Sequence, residues 1–145
     1  MEGTVLAVCV SAKAGTRKKP VPEARLVEDS GIEGDAHARN WHRQVSLLAD
    51  EDAETMRGMG ADVGPGDFAE NLTTRGVDIG GLAVGARVRV GGDVLLEVTQ
   101  IGKRCHHDCE IFKQVGRCVM PEKGIFARVI RGGTVRPGDR IECPV

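Results

Sequence analysis

Short runs of alternating apolar and polar residues, broken by glycine, recur along most of the chain, the pattern of β-strands joined by tight turns. The clearest case is Ala86 to Val90, then Gly91-Gly92, then Asp93 to Thr99. It predicts a hairpin closed by a two-residue primed turn, with Val88, Val90, Leu96 and Val98 on one buried face. The first ten residues, Met1 to Val10, read as a strand. A second unit closes the chain: a strand over Ile125 to Ile130, a turn at Gly132-Gly133, and a last strand over Arg140 to Cys143 after Pro137-Gly138-Asp139. Stretches 84–88 and 137–141 share a turn-then-strand character but are too short to be a repeat.

Helical signals are fewer. Asp50 reads as the cap of a helix over Glu51 to Met59, whose acidic first turn suits the helix dipole and which Gly58 and Gly60 stop. Cys109 to Val115 reads as a second short helix ending at Gly116. Gly64-Pro65-Gly66-Asp67 reads as a loop inside the fold, and nothing along the chain resembles a linker. The expectation is a mainly β fold, one domain over residues 1–145, in which many short strands close into a β-barrel with a few short helices.

Composition narrows the function. The chain has 145 residues, 41% apolar but only 3% aromatic, so its core has to be built from Val, Ile and Leu. One Trp, three Phe and no Tyr leave little for stacking on single-stranded nucleic acid. Twenty basic residues against twenty-one acidic ones give no general pull toward nucleic acid or an anionic membrane, so neither is expected as a partner. No basic leader precedes the first strand and no run is long enough to span a bilayer, which leads to an expectation of a cytoplasmic protein. Five cysteines without a secretion signal point to free thiols, metal ligands or redox chemistry rather than a disulfide framework.

Two stretches carry chemistry. In Gly31 to Leu48, Asp35, His37 and Arg43 bring a carboxylate, an imidazole and a guanidinium together on a glycine-rich loop that leads into a strand. Arg43 offers a bidentate fork for phosphate or carboxylate. The plainer reading is an Asp–His hydrogen bond ordering a surface turn, with Arg43 solvated. The second stretch is Lys103-Arg104-Cys105-His106-His107-Asp108-Cys109, followed by Cys118. Cys105, Cys109, Cys118 and a histidine such as His107 would make a tetrahedral zinc set, although the C-x3-C-x8-C spacing is not that of the common zinc modules. Alternatively Cys105 is a reactive thiolate, activated by Lys103, Arg104 and His106 or His107, with Cys109 and Cys118 as candidate resolving or supporting thiols. Cys9 and Cys143 fall in predicted strands and read as small buried hydrophobes.

Gly34-Asp35-Ala36-His37, Arg43 to Leu48, Gly66 to Thr74, Leu95 to Gln100 leading to Cys105, Met120 to Val129 and Gly132 to Asp139 together resemble the MOSC domain family, the C-terminal domain of molybdenum cofactor sulfurase. The motifs occur in the family's order over nearly the whole chain. The resemblance implies a compact barrel like the β-barrel domain of pyruvate kinase, with the family's characteristic cysteine at Cys105. It also implies an association with the molybdenum cofactor (molybdopterin) or with sulfur carried as a persulfide. Larger members accompany a pyridoxal-phosphate cysteine desulfurase; this chain has no room for one, so sulfur would come from a desulfurase or other donor. Molybdenum-cofactor biosynthesis proteins or molybdoenzymes would be partners. On this reading Cys105 accepts sulfane sulfur, helped by Lys103 and His106, while Arg43, His37, Asn71 and Arg104 line the barrel mouth and hold the cofactor.

Overall fold

The computed structural model describes residues 1–102 and 123–145. The elements run β1 (Glu2–Val10), β2 (Lys19–Val21), β3 (Ala24–Val27), β4 (Gly31–Ile32), β5 (Val45–Ala49), α1 (Asp50–Gly58) and β6 (Leu72–Arg75). A 3-10 turn (Ile79–Gly81) leads to β7 (Arg87–Val90), β8 (Val94–Ile101), β9 (Ile125–Arg131), β10 (Gly133–Val135) and β11 (Arg140–Glu142). Seven strands close into a barrel in the order β11-β7-β8-β9-β5-β6-β1, with β1 pairing back onto β11 and β2 adding to the far end of β1. Every pairing in the barrel is antiparallel except β5 with β6. A parallel neighbour needs a crossover, and α1 with the loop after it supplies one.

Alternation decides what fills the barrel. Ile125, Ala127 and Val129 of β9 join Val45, Leu47 and Ala49 of β5 and Val88, Val90, Val94, Leu96 and Val98 of the β7–β8 hairpin in one aliphatic core. The remaining small sheet, β10-β3-β4, adds Ala24, Leu26, Ile32 and Val135 to that core. On the opposite face of β5 and β9, Leu48 and Phe126 face outward and pack under α1 and its loop, against Ala53, Met56, Ala61, Val63 and Phe68. The wall between β8 and β1 therefore has a packed inner side and a partly covered outer side.

Three sequence expectations change in detail. The β7–β8 loop is three residues long, Gly91 to Asp93, because Val90 pairs with Val94 and Val88 with Leu96. A two-residue loop would put Val90 opposite Asp93 and break the match of buried faces, and only Gly91 of the two glycines takes a positive φ, 62°. Asp50 does not cap α1: it is the first helical residue, Ala49 occupies the cap position without a side-chain bond, and the helix ends at Gly58. The Asp50 carboxylate instead accepts hydrogen bonds from Arg57 at 3.0 and 3.1 Å and from Arg75 at 2.6 Å, tying the helix to β6. After Gly132, where the sequence predicts a turn at Gly132-Gly133, the chain forms β10, paired with β3. The predicted helix over Cys109 to Val115 lies outside the described residues.

Leu47 is wholly buried at the centre of β5, between β6 and β9. Leu47→Ala is expected to cost about 2–5 kcal/mol of unfolding free energy in a denaturant titration. A loss below about 1 kcal/mol would mean the barrel interior is not packed around it.

Candidate functional site

One row of residues crosses the wall. Gln100 of β8 pairs with Phe126 of β9, and Phe126 with Ser46 of β5. Beside Ser46, Asn71 at the head of β6 accepts the Ser46 N–H and the Ser46 hydroxyl through Oδ1, and its Nδ2 donates to the Cys9 carbonyl of β1 at 3.0 Å. The row runs along one end of these strands, with Ser46, Phe126 and Gln100 on the outward face. A seven-stranded barrel is narrow enough for its aliphatic side chains to fill, so polar residues such as Ser46 fall to the other face. Arg43 sits at the β8 end of the row. Its Nε donates to Gln100 Oε1 at 3.0 Å and its guanidinium lies 5.2 Å from the Phe126 ring centre. The Gln100 amide in turn donates to the Gly102 carbonyl, so Arg43 is fixed where the chain leaves β8. Its terminal nitrogens make no contact among the described residues.

At the β1 end of the row lies a buried polar cluster. The Lys18 ammonium and the Asp35 carboxylate are 2.8 Å apart, each with 0% side-chain exposure. Lys18 Nζ also lies 3.0 Å from Ser11 Oγ and 3.1 Å from His37 Nδ1. Asp35 accepts the Ser11 N–H through Oδ1 and the His37 N–H through Oδ2. Burial alone would raise the Asp35 carboxyl; the hydrogen bonds from Lys18 and from the Ser11 and His37 main chain outweigh it and hold it well below the usual carboxylate range. His37 stays partly exposed beside Trp41, whose indole N–H donates to the His37 carbonyl and whose ring carries the Arg39 guanidinium at 3.8 Å.

The loop before β6 joins the two ends. Gly66 accepts the Lys18 N–H through its carbonyl, and it packs so closely that a Cβ there would stand 2.1 Å from the Lys18 carbonyl oxygen. With φ at +86°, only glycine suits the position. Further along, fully buried Glu70 accepts the Phe68 N–H and the Thr73 hydroxyl. Burial raises its carboxyl in spite of those bonds. Burial, then the charges of Glu70 and Asp67, also push the Cys9 thiol up to about 12, which leaves it inert at neutral pH. Cys143, buried after β11, is likewise raised by burial.

Of the residues singled out in the sequence, His37, Arg43 and Asn71 fall along this band. Among the described residues His37 and Arg43 keep nitrogens without a partner, whereas the fully buried Asn71 spends its amide on β5 and β1. Asp35 bonds Lys18 as well as the turn, and Arg43 is held by Gln100 rather than solvated. Lys103, Arg104, Cys105, His106, His107, Cys109 and Cys118 lie outside the described residues. Among the described residues no group of His, Cys, Asp or Glu could hold a metal, and no helix is long and apolar enough to cross a membrane. Lys18, Ser11, Ser46 and Glu70 were not legible as site residues; Lys18 in particular stands in an Arg17-Lys18-Lys19 run that looks like solvated charge.

Two tests follow from the cluster. The depressed Asp35 carboxyl contributes stability that is complete above the ordinary carboxylate range and is lost as pH falls through it toward the lower native value. Asp35→Asn should therefore be less stable than the parent at neutral pH, with the gap narrowing below about pH 4 in denaturant titrations; a constant gap would remove the ionised carboxylate from the account. For the thiols, Cys9 and Cys143 are expected to stay unmodified by iodoacetamide in the native protein at neutral pH and to react once it is unfolded, as read by peptide mass mapping. Rapid native labelling of Cys9 would contradict the packing around it.

The MOSC domain family model matches residues 33–142. No curated protein matches the sequence. Among solved structures, YuaD from Bacillus subtilis superposes with a TM-score of 0.83 at 19% identity, over 99% of this chain and 96% of that one. YiiM from Geobacillus stearothermophilus gives 0.70 at 18% identity, covering 97% and 74%, and YiiM from Escherichia coli 0.68 at 22% identity, covering 99% and 69%. These likenesses carry the fold: a closed barrel with the same overall trace. With the family model matching residues 33–142, about three quarters of its length, the chain belongs to the MOSC domain family.

Proposed function

We propose that this MOSC domain is a sulfur carrier in which Cys105 takes up sulfane sulfur as a persulfide and passes it to a metal-sulfur or pterin-cofactor acceptor. The observation that carries the reading is the family match across residues 33–142, which encloses Cys105 five residues after Gln100, the partner of Arg43. The inert, buried state of Cys9 and Cys143 leaves neither as a rival sulfur acceptor. In the uptake step the Cys105 thiolate attacks the outer sulfur of a donor persulfide, a new S–S bond forms, and the donor's thiolate leaves. A cysteine desulfurase is the donor class this chemistry calls for. Lys103, Arg104 and His106 lower the Cys105 pKa and stabilise the anionic persulfide.

The outer wall fits an anionic ligand. Arg43, whose terminal nitrogens have no hydrogen-bond partner among the described residues, and His37, whose ring is partly exposed, would each contact anionic groups of a molybdopterin such as its phosphate, and Arg104 is a third residue for that role. When bound, that cofactor supplies the molybdenum–sulfur chemistry; the protein's part is to bind and orient it. Asn71 serves the site through the frame, by holding Ser46 and Cys9 in place. Molybdenum-cofactor biosynthesis proteins or molybdoenzymes are the acceptors that follow from this reading.

The test is native mass spectrometry of protein purified without reductant, repeated after mild reduction and on Cys105→Ser. An added mass of one sulfur atom, removed by reductant and absent from the variant, is the expected result. Full sulfur loading of Cys105→Ser would overturn the role of Cys105. A reductant-resistant mass of one metal ion would overturn it in favour of a zinc site at Cys105, Cys109, Cys118 and His107.

A further inference from the structure

The Lys18 ammonium has three N–H groups and the structure gives it three acceptors: Asp35 Oδ1 at 2.8 Å, Ser11 Oγ at 3.0 Å and His37 Nδ1 at 3.1 Å. Ser11 spends its own hydroxyl proton on the Lys13 carbonyl, so its oxygen is free to accept from Lys18. The Asp35 oxygens already take the Ser11 and His37 main-chain N–H groups. An ammonium has no lone pair, and the third of its bonds can be completed only if His37 Nδ1 accepts. The competing contact, Nδ1 to Asp35 Oδ2, is longer at 3.5 Å. A neutral imidazole that accepts at Nδ1 carries its proton at Nε2, and Nε2 has no partner among the described residues. The Trp41 indole, whose N–H bonds the His37 carbonyl, lies within 7° of the imidazole plane with 6.2 Å between ring centres.

We propose that Lys18 is a positioning residue that locks neutral His37 as its Nε2–H tautomer, so that His37 serves a bound anion as a fixed hydrogen-bond donor and not as a base. The ligand class is an oxyanion such as a phosphate group, in keeping with the Arg39 and Arg43 guanidinium groups carried on the same loop. Lys18 reaches the ligand only through His37, since its side chain is wholly buried and its three protons are spent. For sulfur transfer, this removes His37 as the group that takes the thiol proton. The inference rests on the proposed function only for the identity of the bound anion; the tautomer stands on the Lys18 contacts alone.

The experiment is long-range ¹H–¹⁵N correlation NMR on the full chain with ¹⁵N-labelled histidine, at about pH 8, where an ordinary histidine is neutral. His37→Ala assigns the His37 signals among the four histidines. In the wild type, Nε2 should appear as the protonated nitrogen and Nδ1 as the bare one; a protonated Nδ1 would overturn the proposal without any variant being made. In Lys18→Met the proton should move to Nδ1, facing Asp35. Should that variant not fold, Lys18→Met/Asp35→Leu leaves no unpaired charge, and His37 there should show both tautomers. A pure Nε2–H pattern persisting in the variant used would overturn the role of Lys18. Inorganic phosphate added to the wild type should shift the His37 Nε2 signal saturably; a signal that stays fixed would overturn the donor role toward an oxyanion. None of these readouts depends on sulfur at Cys105, so this proposal and the carrier reading fail separately.

Discussion

The candidate site depends on one ion pair with no solvent around it. A lysine and an aspartate that are both wholly buried persist only when every remaining proton and lone pair is matched, because the medium offers little else to stabilise charge. The matching here is supplied by three separate stretches of chain: Ser11 after β1, Lys18 before β2, and Asp35 with His37 after β4. Satisfying the pair therefore fixes where those loops sit. The Lys18 main chain then fixes Gly66, and through it the segment that delivers Asn71 and β6.

Stability and chemistry are kept on opposite sides of one wall. The inward positions of β1, β5, β8 and β9 are aliphatic and fill the barrel, whereas the outward positions of the same strands carry Ser46, Phe126 and Gln100. Alternation along a strand thus gives a rigid backing and a functional surface from the same residues. Arg43, two residues before the first residue of β5, is held against that surface by Gln100 and Phe126, so its guanidinium is ordered before any ligand arrives. The buried Cys9 thiol lies under the same surface and is chemically silent for the same reason the surface is firm.

Much of the fold was legible because local rules agree with the tertiary structure. The β7–β8 hairpin, the last strand and the helix after β5 all follow from alternation, glycine turns and an acidic first turn, and the ordered motifs of the MOSC family fixed the barrel. The misreadings have local causes. Asp50 has the composition of a cap, but Arg57 one face along and Arg75 on β6 offer stronger charged partners than a main-chain N–H. Lys18 could not be found, because its partners lie seven, seventeen and nineteen residues away and nothing in Arg17-Lys18-Lys19 distinguishes the middle residue. His37 was legible as a residue of interest, but not its protonation geometry, which is set by Lys18.

The claim that the Lys18–Asp35 pair organises the site is tested most directly by a double-mutant cycle on unfolding free energy with Lys18→Met, Asp35→Leu and the combination. Each single variant leaves a buried charge unpaired and should lose about 3–5 kcal/mol, while the double variant leaves none and should lose much less than the sum. Costs that simply add would show that the two charges do not depend on one another, and would contradict the account.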